Sequence, residues 1–309
     1  MNKSELTLLQ HLPLDIKIAK SKLRIEEWIR YYGKDGVYIS FSGGKDSTVL
    51  MHLVREVEKD IPGVFVDLGL EYPETREFVK KQENIIILKP EMSFKQVIEN
   101  YGYPMISKEQ ANYLDDIRTG TEYMRNRRIN GDEQGRFKLA KRWHYLIDAP
   151  FKISHRCCNV MKKKPIKKYE KETGRKPFIG IMAEESQLRE QSYLTTGCNA
   201  FESKRPISTP LGFWREQDIL EYIYLNNIEI NKAYGEVIYE EDMLGYRKYK
   251  TTKCDRTGCV ACGFGTHLEK EPNRYQRLEI THPKLHNYCM NKLGFKEVCE
   301  FMGIPYKNK

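Results

Sequence analysis

The chain has 309 residues, with 52 lysines and arginines against 43 aspartates and glutamates, a formal net charge of +9. That length supports one large α/β core plus a smaller appendage, and the basic balance favours polyanionic partners, nucleotides or nucleic acid, without choosing between them. No apolar run reaches the roughly 18 residues of a membrane span, and the opening Met-Asn-Lys-Ser-Glu-Leu lacks a secretion signal's apolar stretch, so a cytoplasmic protein without membrane contact is expected.

Ile16, Ile18, Ala19, Leu23, Ile25, Trp28 and Ile29 predict one amphipathic helix leading into the first strand. Residues 36–41 then read as a buried strand. Ser42-Gly43-Gly44-Lys45-Asp46-Ser47 follows, and Val49, Leu50, Leu53, Val54 and Val57 recur at helical spacing. A strand, a Ser-Gly-Gly turn and a helix together make an anion site. Glycines let the backbone approach a phosphate, Ser42 and Ser47 offer hydroxyls, and the first helical N–H groups point along the helix dipole.

Strand and helix patterns continue to alternate. Residues 63–67 read as a strand, 73–81 as a helix, 84–88 as a strand, 93–101 as a helix and 177–182 as a later strand. This predicts an α/β fold with a doubly wound, mostly parallel sheet, whose ligands sit beyond the carboxyl ends of its strands. The division expected is a nucleotide-binding domain over 1–203, with a basic insertion at about 105–150, and a cysteine-rich helical region over 204–309. Within the insertion, residues 118–145 interleave Arg118, Arg125, Arg127, Arg128, Arg136, Lys138, Lys141 and Arg142 with Tyr123, Phe137, Trp143 and Tyr145. Such a pattern grips phosphates and stacks on bases; its plainer reading is a solvated helical insertion whose aromatics pack on the body. Residues 162–176 read as an exposed helix, 205–211 as an extended Pro-bounded stretch, 216–226 as a helix, and 273–302 as two or three short helices.

Eight cysteines in such a chain point to metal or redox chemistry before disulfides. Cys157 and Cys158 are adjacent, and Cys254, Cys259 and Cys262 form C-x4-C-x2-C. Cys198, Cys289 and Cys299 are isolated and read as small buried apolar side chains.

The Ser42–Ser47 stretch is not the GxxxxGK[ST] loop. It resembles the SGGxDS pyrophosphate loop of the adenine nucleotide alpha-hydrolase-like superfamily, whose members cleave ATP between the α and β phosphates or bind sulfonucleotides. Asp67-Leu68-Gly69-Leu70-Glu71-Tyr72-Pro73-Glu74-Thr75 resembles the DTGxxFPET motif of phosphoadenosine phosphosulfate reductases. Residues Gly180 to Arg189 resemble their G-[LI]-R-R-x-x-S-x-x-R motif, and Pro210-Leu211-Gly212-Phe213-Trp214 with Asp218-Ile219 their P-L-x-x-W…D-[VI] segment. The resemblance spans about residues 35 to 265. It implies that Ser42, Gly43, Gly44, Asp46, Ser47, Asp67, Gly69, Glu71 and Gly180 bind ATP or an adenylyl nucleotide, and that Lys45, Asp46 and Arg189 act on it, with Asp46 positioning Mg²⁺.

Reductases of adenylyl sulfate hold a [4Fe–4S] cluster with a Cys-Cys pair and a downstream C-x2-C. The resemblance therefore implies a cluster on Cys157, Cys158, Cys259 and Cys262, with Cys254 a fifth candidate, as in the similar cysteine-rich region of DNA phosphorothioation sulfurtransferases. Zinc suits the same thiolates and is the lesser alternative. Two departures count against sulfate reduction. The reductases' Glu-Cys-Gly-x-His motif is absent from the sequence, and the two arginines expected after Gly-[LI] are Met182 and Ala183.

The leading expectation is thus ATP-dependent, cluster-assisted sulfur transfer to an acceptor, a nucleic acid being one candidate. The alternatives are a sulfonucleotide reductase releasing sulfite and a non-catalytic nucleotide-binding module of a larger complex. A sulfur-donor or reductant protein is an expected partner, and an oligomer is compatible with the sequence.

Overall fold

The structure, a computed structural model, describes residues 1–308. Its strands in chain order are β1 (Val37–Ser40), β2 (Gly63–Val66), β3 (Ile85–Leu88), β4 (Met105–Ile106), β5 (Lys176–Ile179), β6 (Asn199–Ala200), β7 (Ile207–Ser208), β8 (Val237–Glu241), β9 (Arg247–Thr251) and β10 (Gly263–Phe264). The helices used below are α1 (Lys3–Gln10), α2 (Leu14–Tyr32), α3 (Lys45–Val57), α4 (Pro73–Lys81), α5 (Phe94–Tyr101), α6 (Lys108–Thr119), α7 (Glu122–Asn130), α8 (Lys164–Thr173), α9 (Gln187–Thr196), α10 (Glu216–Leu225), α11 (Arg274–Thr281), α12 (Pro283–Asn287) and α13 (Phe295–Met302).

The chain divides into two compact units. The first comprises Met1–Asp67, Glu71–Lys89 and Ile166–Thr257; the second comprises Leu68–Leu70, Pro90–Pro165 and the chain from Gly258 onward. The boundary expected at 203/204 falls inside the first unit. The basic insertion and the C-terminal helices belong together to the second unit.

The first unit holds a six-stranded sheet in the order β3-β2-β1-β5-β7-β6, parallel except for the β6–β7 pair. This is the doubly wound α/β sheet the alternation predicts. Val37, Tyr38 and Ile39 of β1 are fully buried, which explains an apolar run without alternation. β1 lies between β2 and β5, with Ile39 opposite Gly63 and Phe178. Trp28 of α2 packs near Phe178 and Phe201, with ring centroids 6.5 and 5.0 Å away.

The Pro210–Trp214 segment works structurally. Ser21 of α2 donates to the Pro210 carbonyl at 2.9 Å, and Trp214 Nε1 donates to Ser21 Oγ at 2.9 Å. Asp218 pairs at 2.6 Å with Lys17, which is fully buried, and also accepts from the Arg215 amide at 2.6 Å. The β8–β9 hairpin was not anticipated. Gln217 reads its edge, accepting from Tyr249 N at 2.8 Å and donating to Tyr249 O at 3.0 Å.

In the second unit β4 pairs in parallel with β10, Met105 opposite Gly263. A Cβ at Gly263 would stand 2.8 Å from Pro104 O and 2.9 Å from Tyr275 Oη, so only glycine fits that crossing. Phe94, Tyr103, Tyr275 and Phe295 pack around one another as the unit's aromatic core. Much of the basic stretch is used internally. Arg118 donates to the carbonyls of Leu146, Ile147, Ala149 and Phe151 at 2.5–3.0 Å. Arg125 donates to Ile117 O at 2.9 Å, Arg128 pairs with Asp116 at 2.7 Å, and Arg136 pairs with Asp132 at 3.0 Å.

Breaking a buried ion pair costs far more than breaking an exposed one. Lys17→Ala should lower unfolding stability by about 3–5 kcal/mol in urea denaturation. Lys81→Ala, which removes the exposed Lys81–Glu229 pair, should change it by less than about 1 kcal/mol. Equal effects would show that Lys17 is not the buried partner described here.

Candidate nucleotide site

β1 ends at Ser40, and the chain passes through buried Phe41 into the Ser42–Gly44 turn and α3. Gly43 has φ +71°, the left-handed region, and a Cβ there would lie 2.9 Å from Thr75 Cγ2 and 3.0 Å from Val79 Cγ2 of α4. Both facts demand glycine. Gly44 is different: its backbone is extended (φ −88°), and a Cβ would meet only side-chain oxygens, Tyr234 Oη at 3.2 Å and Ser42 Oγ at 3.3 Å.

The two serines hold the turn. Ser47 Oγ donates to Gly44 O at 2.9 Å and accepts from Ser42 N at 3.2 Å, while Ser42 Oγ accepts from Gly44 N at 3.3 Å and lies 3.0 Å from Ser47 Oγ. The hydroxyls expected to meet phosphate are therefore engaged with the turn itself. Gly180, at the end of β5, approaches the same loop; a Cβ there would lie 3.0 Å from Asp46 O and 3.3 Å from Ser47 Cα.

Lys45 is 3 % exposed. Its ammonium donates to Asp255 O at 3.0 Å and lies 3.1 Å from Glu216 and 3.7 Å from Asp46. Burial opposes that charge, but Asp46, Tyr234 and Glu216 outweigh it and raise the Lys45 pKa. Burial pushes the Asp46 carboxyl up, against the pull of Lys45. Asp46 Oδ1 is a buried oxygen with no hydrogen-bond partner. Arg189, on α9, pairs with Glu185, and burial together with the nearby charge of Arg256 lowers its pKa. Asp67 pairs with Arg76 at 2.7 Å, and Gly69 takes φ +73° in open space. Met182 and Ala183, where two arginines were expected, are buried core residues.

Sequence reasoning missed Tyr234, Glu216 and the Asp255–Thr257 segment. Tyr234 Oη accepts from Lys45 N at 3.3 Å and lies 2.9 Å from Thr257 Oγ1. The available signal was the polar Asp-Arg-Thr within C-x4-C, which drew attention only as cysteine spacing.

Cys157, Cys158, Cys259 and Cys262 all belong to the second unit. The Cys157 thiol donates to Cys158 Sγ at 3.9 Å. That bond raises Cys157 and lowers Cys158 against its burial, helped by Lys108, Lys162 and Lys163. Cys157 also feels the charges of Cys262 and Cys259. Among the described residues no three His, Cys, Asp or Glu side chains converge as on a metal ion. Cys254 belongs to the first unit, where its thiol donates to Ala233 O at 3.0 Å and packs on the apolar core. Cys289 and Cys299 are fully buried, as their isolation in the sequence suggested, while Cys198 is partly buried beside Tyr193 Oη at 3.4 Å.

The phosphoadenosine phosphosulfate reductase domain model matches residues 36–134 and 127–264, most of the chain. The chain belongs to that family. An uncharacterized protein of Methanocaldococcus jannaschii is 27% identical over 267 residues, covering 84% of this chain but only 48% of that protein, so the chain spans about half of that relative's length. An adenosine 5'-phosphosulfate reductase of Bacillus mycoides is 22% identical over 243 residues, 76% of this chain and 80% of that protein. A phosphoadenylyl-sulfate reductase structure from Candida auris aligns at 15% identity over 75% of this chain and 90% of that one, with a TM-score of 0.42.

The two glycines of the loop should separate under mutation. Gly43→Ala should destabilise the fold by about 1–3 kcal/mol, because a side chain is forced into left-handed backbone against α4. Gly44→Ala should keep the melting temperature within a few degrees yet abolish ATP binding in calorimetry, if the turn's backbone holds the phosphates, because a Cβ there crowds the turn beside Ser42 Oγ and Tyr234 Oη. Retained ATP affinity in folded Gly44→Ala would refute this placement of the phosphates.

Proposed function

We propose that this member of the phosphoadenosine phosphosulfate reductase domain family binds ATP or an adenylyl nucleotide at Ser42–Ser47 and transfers sulfur to an acceptor. The observation that carries the reading is the Ser-Gly-Gly turn at the carboxyl end of β1, opening a 13-residue helix with Lys45 and Arg189 as flanking cations. In this reaction an acceptor oxygen attacks the α-phosphorus and the bond to the β-phosphate breaks, releasing pyrophosphate. A hydrosulfide-class donor then bonds to the activated atom as AMP departs with the oxygen. The chain's own part is to hold the phosphates on the turn's backbone, to neutralise them with Lys45 and Arg189, and to orient the α-phosphorus. Asp46 suits Mg²⁺, because its buried Oδ1 has no hydrogen-bond partner.

The second unit's thiols suit an iron–sulfur centre in donor chemistry. Cys157, Cys158, Cys259 and Cys262 share one unit, a thiolate is favoured at Cys158, and three lysines offset anionic charge there. Cys157, Cys158, Cys259 and Cys262 are the proposed ligands; a [4Fe–4S] cluster held by all four would supply redox capacity, and one held by three, with one of Cys157 and Cys158 free, would leave an iron open to sulfur. Zinc is the alternative occupant of the same thiolates. In anaerobically purified protein, Cys259→Ala and Cys262→Ala should each lose most of the bound iron and its visible absorption, and Cys254→Ala should retain both. Zinc alone in the wild type would replace the cluster reading, and full iron in both variants would remove these cysteines from it.

A sulfonucleotide reductase is the second reading, favoured by the likeness to the adenosine 5'-phosphosulfate reductase of Bacillus mycoides. Against it, Cys289 and Cys299 are fully buried and burial pushes their thiols up to about 12, which suits neither to attack sulfur. Adenylyl sulfate incubated with the protein and a dithiol reductant should therefore yield little sulfite, and Cys299→Ser should not change the yield. Sulfite released over many turnovers would promote the reductase reading.

A further inference from the structure

We infer that Asp255–Thr257 is a strap across the nucleotide loop and that Arg256 on it is a phosphate-binding residue, an inference that rests on the nucleotide site proposed above. Two hydrogen bonds tie the strap to the loop on either side of Arg256. Asp255 O accepts from the Lys45 ammonium at 3.0 Å. Thr257 Oγ1 lies 2.9 Å from Tyr234 Oη, which itself accepts from Lys45 N, the first helical amide of α3, at 3.3 Å. Thr257 Oγ1 would also stand 3.8 Å from a Cβ at Gly44. The residue between these anchors is thus held beside the turn, while its side chain is exposed.

Charge places the guanidinium in the same neighbourhood. Asp46, pushed up by burial and down by Lys45, is also pulled down by Arg256, and Arg189, already lowered by burial, is lowered further by Arg256. Arg256 and Arg189 therefore repel each other across the space next to Asp46. Asp46 attracts both guanidiniums and Glu185 pairs with Arg189; a bound phosphate further relieves the repulsion between the two cations while accepting charge-assisted bonds. The chemistry called for is a nucleoside polyphosphate or a sulfonucleotide. The arrangement also answers a deficit, because Met182 and Ala183 are core residues where two cations were expected. A chain lacking those arginines has another on the strap.

The test uses the full chain and calorimetry with ATP, adenylyl sulfate and uncharged adenosine as probes. Arg256→Gln should weaken ATP by about tenfold or more, the worth of a charge-assisted bond, and flatten the salt dependence of binding. Adenosine binding, the melting temperature and the iron content should stay as in wild type, since the side chain is exposed. Arg256→Lys should recover part of the ATP affinity and most of the salt dependence. Unchanged ATP affinity in Arg256→Gln overturns the inference. If Gly44→Ala still abolishes binding, the nucleotide site stands and only the strap's role falls; if both variants bind ATP normally, the site itself is wrong. Loss of adenosine and ATP affinity together would make Arg256 a structural residue and would also overturn the inference.

Discussion

The nucleotide loop depends on one carbonyl. Gly44 O accepts from Thr48 N at 3.0 Å, from Ser47 Oγ at 2.9 Å and from Thr48 Oγ1 at 3.0 Å. Helix starts leave N–H groups unpaired and are usually capped by a side chain reaching back to them. Here the cap residue is a glycine with no side chain to offer, so the hydroxyls of the first turn bind its carbonyl instead. This pins the turn without a capping side chain from Gly44 itself, and the first helical amide, Lys45 N, is met by Tyr234 Oη at 3.3 Å. A loop built so can meet an anion with its backbone, and Gly43 makes it possible by taking a conformation that other residues adopt only with strain.

The charges around that loop are arranged with the same economy. Lys45 is almost wholly buried, and a buried ammonium is unfavourable unless neighbours repay the lost hydration. Glu216, Asp46 and the Asp255 carbonyl do so. Lys45 is consequently oriented before any ligand arrives, at the cost of sharing its charge with two carboxylates. A phosphate bound as proposed would have to compete with Glu216 for it. Arg256 is exposed and also acts on Asp46, so it shares that carboxylate with Lys45 while differing from it in burial.

Local patterns made the first unit legible. The uniformly apolar β1, the 3.6-residue period of α3, the Pro at the start of α4 and the β-branched β3 each specify an element from its own residues, and parallel order follows from their alternation. Gly180 was named only through resemblance; its reason is steric, an approach to the distant backbone of Asp46 and Ser47 that a Cβ would block. What escaped depends on distant pairing. Tyr234 and Lys45 are 189 residues apart in the chain, and Lys45 and Asp255 210 apart, so no periodicity brings them together. The two-unit division escaped for a similar reason. The second unit is assembled from three separated stretches, and β4 and β10, which pair with each other, are two residues each.

Composition leaves the basic stretch open between a polyanion-binding surface and a helical insertion packed on the body, and the structure uses much of it internally. A run of arginines reads as a polyanion surface when each is imagined free in water. Arg118 instead satisfies four backbone carbonyls of a segment that forms neither strand nor α-helix, and such a segment, once packed, must find donors for its carbonyls somewhere. Guanidinium suits that task because it carries five donors in a rigid plane and stays charged. Arg125, Arg128 and Arg136 are similarly tied to Ile117 O, Asp116 and Asp132. The basic stretch is thus partly internal scaffolding, and the formal net charge overstates how much cationic surface it presents. A cation's availability for phosphate is decided by what already holds it, not by how many neighbours share its sign.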